Sequence, residues 1–139
     1  DALFGGRDVW LEIGFGGGEH MVHQAALNPG IGLIGCEPFI NGVAMLLGKI
    51  RAAGVENVAV HPGDARDLFD VLPPASVAKA FLLYPDPWPK NKHAKRRMMN
   101  DGPVRMFADK LKPEFVAPLV LYLCSEQCTD SGLILNAGM

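Results

Sequence analysis

Cysteine is scarce in this chain: three in 139 residues, Cys36, Cys124 and Cys128, with no CxxC pair. An odd, unpatterned set of thiols excludes a disulfide scaffold and fits a reduced, cytoplasmic protein. Cys124 and Cys128 stand one helical turn apart, but no histidine lies near them in sequence. The four histidines, His20, His23, His61 and His93, show no ligand spacing, so no metal site is expected. No serine or cysteine has the local setting of an activated nucleophile. Long apolar runs are missing too. The longest, residues 115–124, contains Pro118 and is too short to span a bilayer, and no secretory signal is read, so no membrane partner is expected. Strong net charge is also absent: 13 basic against 15 acidic residues leave −2, which gives no general attraction for a polyanion. Without repeats, linkers or low-complexity segments, the chain is read as one domain over 1–139. That length buries about two-thirds of the surface its unfolded form exposes. Beginning without methionine and ending at Ala137-Gly138-Met139, the chain is read as a fragment or an engineered product.

What is present is alternation. Apolar runs at 8–13, 31–37, 57–61 and 77–84 read as buried strands. Between them, 19–27, 39–53 and 65–72 have helical spacing or helical stops, such as Gly54 after Val43, Leu46, Leu47 and Ile50. Beyond residue 100, 103–111 and 114–126 read as helices and 133–136 as a last short strand. Strands alternating with helices predict an α/β fold: a three-layer sandwich with a mainly parallel sheet, Rossmann-like, in strand order 3-2-1-4-5. Ligands of such sheets gather beyond the carboxyl ends of the strands, and each motif below falls at one of those ends.

The first motif is LEIGFGGGE over 11–19. Its glycines let the backbone turn sharply and approach a ligand, and the following helix offers free N–H groups. Gly14, Gly16 and Gly18 match G-x-G-x-G, while the last place of a dinucleotide fingerprint is taken by Glu19. A carboxylate there repels a pyrophosphate but suits a cofactor carrying an ammonium and a sulfonium. The turn alone would also serve as a tight strand–helix connection. Glu37 ends the second strand about 20 residues on, where an acid can accept both ribose hydroxyls or simply be solvated. Asp64, past the third strand, could accept from an adenine amino group or cap the helix that follows.

The fourth strand runs into LYPDPWPK over 83–90 and then NKHAKRR over 91–97. Two prolines fix the direction of Asp86. Trp88 could stack on a base or pack on the core. Lys90, Lys92, Lys95, Arg96 and Arg97 are five of the 13 basic residues, a local density that suits nucleic-acid phosphates, although surface cations are common.

Together, LEIGFGGGEH, GCEPFINGV, HPGDARDL and LLYPDPWPKNKHAKRR resemble the bacterial tRNA (guanine-N7-)-methyltransferase family, over about residues 2–113. The resemblance implies S-adenosylmethionine held by Glu12, the glycine turn (Gly14, Gly16, Gly18), Glu37 and Asp64. It implies Asp86 as the active-site carboxylate and tRNA as the substrate partner, contacted by Lys90. Trp88, Lys95, Arg96 and Arg97 are added to that substrate surface from the aromatic and cationic character of the run. Guanine N7 has a lone pair and no proton, so methyl transfer to it requires positioning and electrostatics rather than a general base.

The tail, 114–139, departs from that family's pattern and is similar to the closing helix and strand of short-chain dehydrogenases of the peroxisomal multifunctional type. A join near 113–114 would give a truncated or hybrid enzyme with impaired activity. The alternatives are a non-catalytic recombined scaffold that binds the cofactor, and a fragment of an NAD-dependent dehydrogenase. The last lacks the Tyr-x-x-x-Lys pair: Trp88 stands four residues after Tyr84, and Glu126 four after Tyr122.

Overall fold

A computed structural model describes residues 3–83, 92 and 101–112. Within them the element order is β1 (Val9–Ile13), α1 (Glu19–Leu27), β2 (Gly32–Cys36), α2 (Ile40–Ala53), β3 (Val58–His61), α3 (Ala65–Phe69), β4 (Lys79–Leu82) and α4 (Asp101–Ala108). The four strands form one parallel sheet in the order β3-β2-β1-β4. This is the α/β architecture expected from the alternating pattern. The final strand expected at 133–136 lies outside the described residues, as does the helix at 114–126. Lys110–Lys112 already runs beside the start of β4: Val77 N–H donates to Lys110 O at 2.8 Å and Lys112 N–H to Val77 O at 2.9 Å.

Helices cover both faces of the sheet, so the central strands β1 and β2 bury side chains on both faces, while β3 and β4 are half-buried. On one face Leu11, Ile13 and Cys36 pack with Ala65 and Phe69 of α3, and Phe107 of α4 stacks on Phe69 at 5.5 Å. On the other, Leu33 and Trp10 meet Met21 and Ala25 of α1 and Val43 and Leu46 of α2. Truncating a buried leucine such as Leu11 costs about 2–5 kcal/mol in sites of this kind. At the opposite end of the sheet from the glycine turn, Asn57 is an internal rivet. Its side-chain amide donates to Ala25 O, Asn28 O and Ile31 O at 3.2, 3.0 and 2.9 Å, satisfying carbonyls where α1 ends.

Two boundaries differ from expectation. Helical spacing predicts 65–72, but α3 stops at Phe69 and 70–72 continue as a turn, because Pro73 disfavours the helical conformation of the residue before it. Conversely, α4 (Asp101–Ala108) takes in Asp101 and Gly102, ahead of the start expected at Pro103.

Candidate cofactor-binding site

All four strands point the same way, so Ile13, Cys36, His61 and Leu82 end on one edge of the sheet. Backbone pairing continues past the strand ends: Gly14 N–H donates to Cys36 O at 2.8 Å and Glu37 N–H to His61 O at 3.2 Å. The glycine turn after β1 therefore starts beside the acidic residue after β2. Gly14, Gly16 and Gly18 have φ of +69°, +57° and +79°, the left-handed region where other residues are strained. A side chain built on Gly14 or Gly16 meets no atom of the described residues within 4 Å, so among them the turn faces open space on its outer side. Its inner side is closed. A Cβ at Gly42, in the first turn of α2, would lie 2.3 Å from Gly16 O.

Glu37 ties the two loops together. Its carboxylate accepts from Gly16 N–H at 2.9 Å through one oxygen and from Phe39 N–H at 3.0 Å through the other. The residue is 5% exposed, so these charge-assisted bonds hold it in a fixed place. Glu12 lies deeper, 2% exposed on the α1 side of β1. Its carboxylate accepts from His20 Nδ1 at 2.9 Å. Burial pushes the Glu12 carboxyl above the usual carboxylate range, and the bond and charge of His20 oppose that rise. Asp64 is the N-cap of α3, accepting from Arg66 N–H at 2.9 Å, and its carboxylate also pairs with the Arg66 guanidinium. The Arg66 side-chain hydrogen bond is the main cause that holds Asp64 below the usual aspartate range.

Glu19, whose carboxylate at the start of α1 suits a cofactor carrying an ammonium and a sulfonium, does not stand alone. In the structure Lys49 of α2 donates both to the Glu19 carboxylate and to Gly17 O, at 2.6 Å for the latter. The pair leaves little net charge there, so the negative character of the site rests on Glu12 and Glu37. Sequence patterning also gave no role to Lys49, His20 or Gly42. Lys49 and Gly42 act across more than 20 residues, with no local signal. His20 did leave one: an acid inside an apolar strand, as Glu12 is in β1, needs a buried partner.

Glu12, Gly14, Gly16, Gly18 and Glu37 thus come together around one turn, with Asp64 past the end of the neighbouring β3. Asp86, Trp88, Lys90, Lys95, Arg96 and Arg97 lie outside the described residues; Lys92, which is described, is exposed. Burial raises the Cys36 thiol to about 12, as befits an inert core side chain. Among the described residues no cluster of His, Cys, Asp and Glu could hold a metal ion, and no helix is long and apolar enough to cross a membrane.

Comparisons with known proteins bear on the family and the fold. Two curated relatives are tRNA (guanine-N(7)-)-methyltransferases. That of Cereibacter sphaeroides is 77% identical over 112 residues, covering 81% of this chain and 46% of the relative. That of Ruegeria pomeroyi is 71% identical over 113 residues, covering 81% and 48%. The chain therefore spans about half the length of the curated relatives it matches. Among solved structures, an antibiotic-related methyltransferase superposes with a TM-score of 0.60 at 19% identity, covering 80% of this chain and 56% of that one. A SAM-dependent methyltransferase from Aquifex aeolicus superposes with a TM-score of 0.57 at 17% identity, covering 79% and 55%. At such identities these two bear on the fold alone. A family model described as "Putative methyltransferase" matches residues 6–118, running on past the boundary read at 113–114. Its match takes in both strand ends and every carboxylate described above, and the chain belongs to that methyltransferase family.

Proposed function

We propose that this chain binds S-adenosylmethionine at the glycine turn and belongs to an enzyme that methylates guanine N7 in tRNA. The observation that carries this reading is the Glu37–Gly16 clasp: an acid at the tip of β2 fixed 2.9 Å from the glycine turn, whose outer side is open among the described residues. The residues fit the ligand. Glu37 suits ribose hydroxyls, the Glu12 carboxyl suits an ammonium, and Asp64 suits an adenine amino group. Backbone groups of Gly14 and Gly16 offer a close approach without side chains in the way.

When bound, S-adenosylmethionine supplies a methyl group on a positively charged sulfur. The protein's share is to hold both reactants in line and to match their charge. Glu12 and Glu37 make the pocket negative, and no residue needs to remove a proton, because guanine N7 carries none. Asp86 would face the purine and Lys90 and Trp88 its surroundings, with Lys95, Arg96 and Arg97 on the tRNA backbone. The activity of the curated relatives and the cationic run support this substrate, and the scarce, unpatterned cysteines suit work in the cytoplasm.

Transfer of labelled methyl groups to tRNA tests the reading. Product carrying the label at guanine N7 is expected, with Asp86→Ala lowering kcat by a hundredfold or more. Replacing Lys95, Arg96 and Arg97 together should raise KM for tRNA at least tenfold. Cofactor binding without label transfer would restrict the chain to a cofactor-binding role.

A further inference from the structure

Glu12 and His20 flank the glycine turn, two residues before Gly14 and two after Gly18, and their side chains meet beneath it at 2.9 Å. His20 sits in the first turn of α1, and its ring stands edge-on against Phe81 of β4, 4.8 Å between centroids at 70°. Phe81 is the sheet neighbour of Glu12 on one side and Gly35 on the other. The carboxylate is thus roofed by an imidazole and bordered by a phenyl ring and a bare glycine. Neither sheet neighbour can donate a side-chain hydrogen bond.

We propose that His20 is a positioning residue that braces the glycine turn from below and keeps Glu12 ionised and oriented for the ammonium group of the bound methyl donor. The proposal rests on the reading that the donor lies at this turn. Its physical basis is the cost of a lone buried carboxylate, which without a donor takes up a proton and loses its charge. With the carboxylate ionised, Nδ1 carries the proton and donates.

Among the described residues, the other charged groups on this side of the sheet are engaged elsewhere or exposed. Lys79 of β4 lies over the Trp10 ring, 4.4 Å from its centroid. Lys49 of α2 is paired with Glu19 and Gly17, and Glu37 accepts from Gly16 and Phe39. His23, one turn further along α1, is exposed, as is Arg51 near the end of α2. Among the described residues, His20 is therefore the side chain placed to set the charge state of Glu12.

Three substitutions separate this role from mere packing. Asparagine places its amide nitrogen where Nδ1 stands, glutamine places it one atom further out, and phenylalanine keeps the ring without a donor. Helix propensity ranks glutamine above asparagine; the brace ranks asparagine above both others. Binding of S-adenosylmethionine to the full chain, measured by calorimetry from pH 5 to 8, should weaken at least tenfold in His20→Phe. The acid limb of its binding profile should move to higher pH. His20→Asn should recover most of the affinity and the wild-type limb, with His20→Gln between. Equal affinity and an unmoved limb in His20→Phe, or glutamine outperforming asparagine, would overturn the proposal.

A second readout needs no ligand. In carbon-13 NMR of labelled glutamate, the Glu12 carboxyl should titrate at higher pH in His20→Phe than in wild type or His20→Asn. An unchanged titration overturns the brace even where binding is normal. Wild-type protein that binds no S-adenosylmethionine would instead remove the proposed function, and the titration would still decide the brace. Should His20→Phe fail to fold, the ranking of asparagine against glutamine carries the test alone.

Discussion

Three carboxylates at one sheet edge do three different things, and their surroundings decide which. Glu37 is clasped by two backbone N–H groups, Glu12 is buried on a histidine, and Asp64 caps a short helix beside an arginine. The cap gives a prediction with a definite sign. Asp64 is held below its ordinary range, chiefly by Arg66, so in the folded state it releases its proton more readily than when unfolded. Its stabilising contribution is complete above about pH 4, the range of an unperturbed aspartate, and is lost as pH falls through the lowered value. Asp64→Ala should lower the melting temperature at pH 7, as loss of an N-cap costs about 1 kcal/mol. The gap between variant and wild type should shrink as the medium is acidified from pH 4 towards pH 2. A gap that stays constant through that range would show that the carboxylate charge is not what stabilises α3.

At the scale of elements, the unit that matters is β1, its glycine turn, α1 and the start of α2. The turn conformation was legible in sequence because only glycine adopts it freely, and three glycines alternate there. The four described strands and their order were legible because apolar runs of five to eight residues alternate with helical spacing. The tightness of the α2 contact was not. Gly42 reads as one more glycine inside a helix, normally a weak point of about 1 kcal/mol relative to alanine. Its purpose is tertiary, since a methyl group there would meet Gly16 O at 2.3 Å, a backbone atom that cannot swing aside. Gly42→Ala should therefore destabilise the protein by about 1–3 kcal/mol, against its own helix propensity, and weaken cofactor binding by displacing the turn. Gly48→Ala, on the same helix with open space around it, serves as the control and should be neutral or stabilising. A stabilised Gly42→Ala protein with unaltered binding would mean that the contact between α2 and the turn is loose.

At the scale of the molecule, the sheet separates stability from recognition. Its interior and the far end, with the Asn57 rivet, keep the layers together, while its carboxyl edge collects the acidic and glycine-rich groups. The site was legible in outline from strand ends alone, since parallel strands must deliver whatever follows them to one edge. The fold identified the partners that fix two of the carboxylates, His20 for Glu12 and Arg66 for Asp64, the acid inside an apolar strand having signalled only that Glu12 needs some partner. Titration calorimetry of the chain with S-adenosylmethionine, comparing wild type with Glu37→Ala, tests the central claim most directly. The account predicts one saturable site in wild type, weakened about 10- to 100-fold in the variant, the range expected for losing hydrogen bonds to a buried charged group. A wild-type protein that releases no heat of binding, or a folded variant that binds equally well, would contradict it.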